Sequence, residues 1–159
     1  MEMNPISRRD LFAKAVAECL DSHHLKYERV GDNNELFILP MTLSGKLNHC
    51  RLFISASDSG VSTHAICPIN ASPDSFEQVV EFITRANYGL KLGKFEMDYS
   101  DGEVRYSTCL YMTEGMPAAD DLEHHILIPF MMMRRYGDGL VKSLMGLGHP
   151  EEDIAEIEG

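Results

Sequence analysis

The strongest constraint in this sequence is a change of hydrophobic period between residues 72 and 112. Up to Leu90 the apolar residues recur at i, i+3, i+4 and i+7, which predicts a helix with one buried face. From Phe95 onwards apolar and polar residues alternate, as in a half-buried strand. Asp101 and Gly102 interrupt that alternation, and this dipeptide is a strong signal for a two-residue hairpin turn. The segment therefore predicts a helix followed by a β-hairpin.

Local signals predict where this helix begins and ends. Ser72 is placed to cap its free amides, and Pro73 suits the first helical position because its missing N–H costs nothing there. Gly89 and Gly93 supply the backbone freedom that ends the helix and turns the chain. The buried stripe is expected to contain Phe76, Val79, Val80, Ile83, Asn87 and Leu90.

A two-residue turn would also fix how the two strands pair. It places Tyr99 opposite Val104 in the core and Asp98 opposite Arg105 on the solvent face, so a surface ion pair is expected for that arginine. Asn87 is the polar member of the helical stripe. A buried amide needs hydrogen-bond partners, and we expect them to be backbone groups near the helix end and not a ligand.

The same segment carries a resemblance to a known family. The run from Asn87 to Leu110, NYGLKLGKFEMDYSDGEVRYSTCL, resembles the central signature of the bacterial YbjN-like domain family. That family is named for sensory transduction regulation and is similar in fold to type III secretion chaperones. It has no established catalytic activity. The resemblance therefore implies a non-enzymatic protein-binding module, chaperone-like or regulatory.

The rest of the chain predicts further elements around this segment. An N-terminal helix is expected from Ser7 to about Ser22, with Ile6 and Leu11 forming a hydrophobic staple. Strands are expected at 25–30, 35–41, 47–57 and 61–69. The breaks between them are short enough to permit only antiparallel neighbours, which predicts a β-meander that the hairpin extends.

A third helix is predicted to begin at Asp120 or Asp121. Pro129 and the glycines near Tyr136 should leave it kinked or broken. Residues 151–159 carry acids and no base, so a short helix or a frayed acidic tail is expected. We therefore predict one α+β domain over residues 1–150, in which helices pack on an antiparallel sheet of five to six strands. The element order is α-β(meander)-α-β-β-α, a type III secretion chaperone-like fold by its resemblance.

Charge and cysteine content restrict the partners and the compartment. Lys and Arg number 14 against 25 Asp and Glu, and the net charge of −11 repels nucleic-acid phosphates and anionic membrane surfaces. No apolar run approaches the roughly 18 residues of a membrane span. The cysteines lack C-x-x-C spacing and no signal peptide is recognisable, so reduced thiols and a cytoplasmic location are expected.

The histidines offer an alternative function. His23-His24 and His124-His125 are adjacent pairs whose side chains point about 100° apart on a helix, so neither pair chelates one ion. A three-dimensional cluster of His64, His124 and His125 would instead indicate a metal-binding or small-ligand-binding protein or an enzyme. No catalytic residue, metal ligand set or cofactor motif is identified from the sequence, and neither an enzyme nor a cofactor is predicted.

Met131, Met132, Met133 and Met145 are the predicted partner-binding residues. Three consecutive residues span most of a helix circumference, so at least one of them must leave the buried stripe. Exposed methionine adapts to varied apolar partners. The expected partner is another polypeptide, held by an apolar patch or an open sheet edge, and the chain is expected to form a homodimer. A purely structural dimer, with the methionines buried between protomers, is the remaining alternative.

Overall fold

A computed structural model describes residues 5–33 and 35–159 and places four helices, among those residues, on an open antiparallel sheet. The elements in chain order are α1 (Arg8–Ser22), β1 (Glu28–Val30), β2 (Leu36–Thr42), β3 (His49–Ser57), β4 (Gly60–Ile66), a 3-10 turn (Pro73–Ser75), α2 (Phe76–Asn87), β5 (Lys94–Met97), β6 (Val104–Tyr111), α3 (Ala119–Leu144) and α4 (Pro150–Glu158). The six strands lie in the order β1-β2-β3-β4-β6-β5. The predicted α+β architecture, with a meander extended by a hairpin, is confirmed.

The strands of the meander are mostly shorter than the alternation suggested. β1 begins at Glu28 and not at residue 25, because the Leu25 N–H donates to the Leu20 carbonyl at the end of α1. β4 ends at Ile66, and Pro68 has no N–H with which to continue the ladder. The predicted break before β2 includes Asn34, which lies outside the described residues.

Helices cover one face of the sheet. α1 packs on β3, α3 on β4 and β6, and α2 against β5. Buried residues alternate along each strand towards those helices, as the pleat requires. The largest side chains buried on this face are Phe37, Leu39, Leu52, Ile54, Phe95 and Tyr106. The opposite face, on which no helix packs within the described residues, is the open face.

The hairpin forms where it was predicted, but its register is wrong by two residues. Met97 lies opposite Val104, and Phe95 lies opposite Tyr106. Tyr99, expected in the core, is 66% exposed in the connecting loop. Because the shift is an even number of residues, Phe95 and Tyr106 still face the core.

Side-chain turns at the hairpin tip explain the longer loop. Asp98 Oδ1 accepts the Ser100 N–H at 2.7 Å, and Asp101 Oδ1 accepts the Glu103 N–H at 2.9 Å. Such Asx turns compete with the two-residue turn that Asp-Gly favours. Gly102 then adopts a φ of 77°, which glycine tolerates without strain.

α1 begins as predicted, but without its hydrophobic staple. Ser7 Oγ accepts the Asp10 N–H at 3.1 Å and so caps the helix. Ile6 is 71% exposed and Leu11 is 39% exposed, because the helix turns a neighbouring stripe towards the sheet. That stripe consists of Phe12, Ala13, Val16 and Leu20.

α3 is continuous for 26 residues, so of the predicted kink or break the break does not occur. Pro129 lacks the N–H that would bond to the His125 carbonyl. The Thr108 hydroxyl on β6 donates to that carbonyl and replaces the lost hydrogen bond. A Cβ at Gly139 would lie 2.8 Å from the Phe82 ring, so this glycine serves the close packing of α2 on α3.

The start of α3 differs from expectation, whereas the C-terminal residues form the short helix that was one of the two expected outcomes. α3 begins at Ala119 after Ala118, so Asp120 and Asp121 lie in its first turn, where they complement the helix dipole and do not cap it. The acidic residues after Pro150 form α4, which packs on α2 and α3. None of the described helices combines the length and apolar character needed to cross a membrane.

Candidate functional site

The four methionines do not form one surface. Met133 is fully buried, and Met132 packs partly buried against the core. Met131 and Met145 are 42% and 56% exposed, which confirms that one residue of the triplet leaves the buried stripe. These two lie about 20 Å apart along the helix, with exposed Arg135 and other charged residues between them.

The histidines are also separated by the fold. His64 lies on the open face of β4, whereas His124 and His125 lie on α3 beyond the other face. No group of three or more His, Cys, Asp or Glu side chains in 5–33 and 35–159 is arranged to hold a metal ion. The structure therefore does not assemble the histidine cluster.

Cys67 is poorly suited to act as a nucleophile. It is 2% exposed on the helix-covered face, opposite to the face that carries His64. Burial raises the pKa of the Cys67 thiol to about 11. A nucleophilic cysteine needs a lowered pKa and a base within reach, so the buried cysteine acts as a small apolar residue.

Asn87 finds backbone partners, but on a strand and not at the helix end. Its Nδ2 donates to the Phe95 carbonyl at 2.9 Å, and its Oδ1 accepts the Phe95 N–H at 2.7 Å. The amide thus occupies the outer edge of β5 as another strand would. Backbone groups that are already bonded cannot pair with an incoming strand.

The opposite sheet edge is protected in a different way. β1 has only three residues, so most of β2 lies at the edge. Pro40 occupies β2 beyond the last pair with β1, Glu28 with Ile38. Proline offers no N–H to an added strand. Asn87 and Pro40 therefore both disfavour the addition of a strand at these edge positions.

The open face presents an apolar stripe across the central strands. The register places Ile38, Phe53 and His64 side by side on β2, β3 and β4. Ile66 on β4 lies next to Arg51 on β3 in the adjacent row. All of these side chains except Arg51, which is exposed, are partly exposed. The arrangement is a shallow apolar surface bordered by charge.

A hydrogen-bonded network forms one end of this face. His64 Nδ1 lies 2.8 Å from Ser107 Oγ, which donates to Glu96 Oε1 at 2.6 Å. Arg105 Nε donates to the same oxygen at 2.7 Å, so its partner is Glu96 and not the expected Asp98. Serine stands between the carboxylate and the imidazole. A hydrolytic triad requires histidine in that central position, so the network orders the surface and does not activate Ser107.

The ionisation of this network follows from its surroundings. Burial, and then the Arg105 charge, lower the pKa of His64, which favours the neutral imidazole at pH 7. Burial alone would raise the pKa of Glu96, but hydrogen bonds from Ser107 and Arg105 outweigh it and lower the pKa. Glu96 therefore remains ionised and neutralises the neighbouring Arg105.

Arg51 is a charged group of the open face that makes no ion pair within 4 Å among the described residues. Its guanidinium lies 5.1 Å from the centre of the Phe53 ring. Of the ion pairs found between described residues, none includes Arg51. An unpaired cation beside an aromatic ring, on a chain of net charge −11, is a local site for an acidic group.

Sequence comparison identifies the family. The family model YbjN, described as "Putative bacterial sensory transduction regulator", matches residues 13–141. The chain belongs to the YbjN family. The matched segment contains the whole sheet, α2 and most of α1 and α3, and it ends before α4. The resemblance seen in the hairpin segment is therefore confirmed, and the YbjN description names a regulator and not an enzyme.

Among the solved structures that are similar to this YbjN family member is the "Crystal structure of YbjN, a putative transcription regulator from E. coli", with a TM-score of 0.49 and 10% sequence identity. The similarity covers 90% of this chain and 92% of that chain. The comparison with curated proteins finds no match.

Ser107, Glu96 and Arg51 were not identified as site residues from the sequence. Alternation places each of them on the solvent face of its strand, but it does not show that β4 pairs with β6. That long-range pairing brings His64 to Ser107. The signal that could have found Arg51 is its spacing from Phe53, two positions away on β3, which places a cation and an aromatic ring on the same face of one strand.

Proposed function

We propose that this protein is a regulatory module that binds another polypeptide through the open face of its sheet. The observation that carries the proposal is the partly exposed stripe of Ile38, Phe53 and Ile66 beside the unpaired Arg51. Apolar surface without a covering element is typical of an interaction site. The YbjN family description supports the regulatory role.

The partner is a chain segment that carries both apolar and acidic residues. Its apolar side chains would cover the stripe, and a carboxylate would pair with Arg51, whose guanidinium lies over the ring of Phe53. In a face-to-face dimer Arg51 would meet a face that carries Lys94 and Arg105 as well as Glu28 and Glu96, and Glu96 is already bonded to Arg105. A more acidic polypeptide therefore complements Arg51 better than a second copy does.

The proposal also accounts for the closed edges of the sheet. Asn87 bonds the outer backbone groups of Phe95, and Pro40 offers no donor at the other edge. A partner that added a strand would meet one of these obstacles at whichever edge it chose. Side-chain contacts on the open face avoid them and leave the hydrogen bonds of the sheet intact.

Peptide selection on the immobilised full chain tests the proposal. Twelve-residue displayed peptides are selected against the wild-type protein, and the affinity of the enriched sequences is measured for Phe53→Ser and for the control Met131→Ser. We expect enriched peptides to combine apolar and acidic residues. Phe53→Ser should weaken their binding by about tenfold or more, because a buried aromatic contact contributes about 1.4 kcal/mol or more.

The control variant separates this surface from the methionine surface. Met131 is 42% exposed on the helical side, so Met131→Ser should leave the affinity unchanged. Enrichment of no peptide would contradict the proposal, as would loss of binding in Met131→Ser with retention in Phe53→Ser. A dimer of the wild-type chain that Phe53→Ser dissociates, seen by light scattering, would show that a second copy occupies the face and would also contradict it.

A further inference from the structure

We propose that the groove between α2 and α3 is a second docking site, which accepts an acidic amphipathic helix of a partner protein. In this proposal α4 is a tethered occupant that the partner helix displaces. The groove lies on the helical side of the molecule and does not depend on the open face. α4 shows directly which chemistry the groove accepts, because it lies against both walls.

The floor of the groove selects apolar residues three positions apart. Ile154 is 7% exposed, and Ile157 packs on the same core. A Cβ at Gly139 would lie 2.9 Å from Ile157 Cδ1 and 2.8 Å from the ring of Phe82. Glycine at this position therefore lets a helix approach closely. A partner helix must present a similar pair of branched apolar side chains.

The walls of the groove select carboxylates. The groove donates to three acidic residues of α4: Lys142 to Asp153 at 2.7 Å, Tyr136 to Glu158 at 2.8 Å and Arg85 to Glu151 at 3.5 Å. These donors are spread along the length of the bound helix. A basic or neutral helix would leave Lys142 and Tyr136 without these acceptors, so the groove favours an acidic partner.

α4 is built to leave the groove more easily than the other helices. It has nine residues, and a helix this short is unstable in isolation. Residues 145–149 connect it to α3, with Gly146 at a φ of 70° and Leu147 76% exposed. A short helix at the end of the chain opens at a lower free energy than the central strands.

The family match includes most of the groove but not α4. The YbjN match at residues 13–141 includes α2 and nearly all of α3 but ends before α4. The tether gives α4 an effective concentration on the order of millimolar, so it competes strongly with any free helix. A partner must therefore bind more tightly than α4 does, or bind after α4 has been released.

A titration of the full chain with a synthetic peptide of residues 149–159 tests this proposal. The probe is added up to millimolar concentration to ¹⁵N-labelled wild type, Ile154→Asp and the matched control Ala155→Asp, and binding is followed by NMR. Ala155 is exposed, so the control adds the same charge without freeing the groove. We expect Ile154→Asp to bind the probe at least tenfold more tightly than the other two chains, with shifts at Phe82 and Gly139.

Each other outcome counts against the proposal. A folded Ile154→Asp chain that binds no more peptide than wild type would overturn it, and so would equal binding of a probe in which both isoleucines are aspartate.

If Ile154→Asp does not fold, the same titration is made on the chain cut at a protease site within 145–149. There the probe should exchange with the cut α4, and failure to exchange overturns the proposal. A wild-type dimer that Ile154→Asp abolishes would show α4 exchange between two copies instead.

Discussion

At the scale of single residues, two side chains supply hydrogen bonds that the backbone cannot make. Asn87 bonds both backbone groups of Phe95 at the edge of β5. Thr108 bonds the His125 carbonyl that Pro129 leaves without a donor. The sequence indicates that Asn87 and Pro129 create a need for partners, but it does not show which distant residue meets that need.

Replacement of Asn87 by alanine should destabilise the protein by about 1–3 kcal/mol, because it removes two hydrogen bonds from partly buried backbone groups. Chemical denaturation at pH 7 measures the loss. Asn70→Ala is the control, since Asn70 makes one exposed hydrogen bond of 3.2 Å to the Asp101 carbonyl. A loss for Asn87→Ala no larger than for Asn70→Ala would mean that the edge contact does not stabilise the fold.

Thr108→Val should cost about 1–3 kcal/mol by leaving the His125 carbonyl unsatisfied. The cost should shrink in a Pro129→Ala background, where the new N–H can reach that carbonyl. Thr63 lies opposite Thr108 and, among described residues, its buried hydroxyl has no partner, so Thr63→Val should be neutral or stabilising. Chemical denaturation of wild type, Thr108→Val, Pro129→Ala and the double variant measures this difference in the free energy of unfolding. If Thr108→Val costs the same with Pro129 and with Pro129→Ala, the Thr108 hydroxyl does not replace the helical hydrogen bond that Pro129 removes.

At the scale of elements, the period of the sequence predicts which residues face the core better than it predicts how strands pair. Phe95 and Tyr106 were expected in the core and lie there, although the register is two residues away. The register depends on the Asx turns at Asp98 and Asp101, which compete with the Asp-Gly turn. The break expected in α3 failed for a similar reason, because Thr108 comes from a distant strand.

α4 should be held more weakly at low pH. Burial alone would raise the pKa of Asp153, but hydrogen bonds from Lys142 and the His149 N–H outweigh it and lower the pKa. Because the folded value is depressed, the stabilisation is fully present above the ordinary Asp pKa of about 3.9 and is lost as pH falls through the folded value. Asp153→Asn should cost about 1.5–3 kcal/mol at pH 7 and less at pH 3.

The matched control for this prediction is Glu156→Gln. Glu156 Oε2 lies 3.9 Å from Lys142 Nζ, and its side chain is 80% exposed, so its loss should have almost no effect. Urea denaturation of the three chains between pH 3 and pH 8 gives the difference in unfolding free energy. A cost for Asp153→Asn that does not change with pH would show that its carboxylate is not the group that titrates.

At the scale of the whole molecule, the sequence predicted the α+β class, the meander, the hairpin and the family. It did not predict the proposed binding surface, because the face that helices cover depends on packing between distant elements. The methionine surface failed as a single patch since Met133 faces the core. The open face could be identified only after the pairing of β4 with β6 was known.

A charge exchange at Arg51 tests the binding surface most directly. The affinities of wild type and Arg51→Glu are measured for a selected acidic peptide. They are measured again for the same peptide after its acidic residues are changed to lysine. The account predicts that Arg51→Glu lowers the affinity for the acidic peptide by about tenfold or more. The lysine peptide should bind Arg51→Glu well and wild type poorly. Equal binding of the acidic peptide by Arg51→Glu and wild type would contradict the assignment of the open face as the partner site.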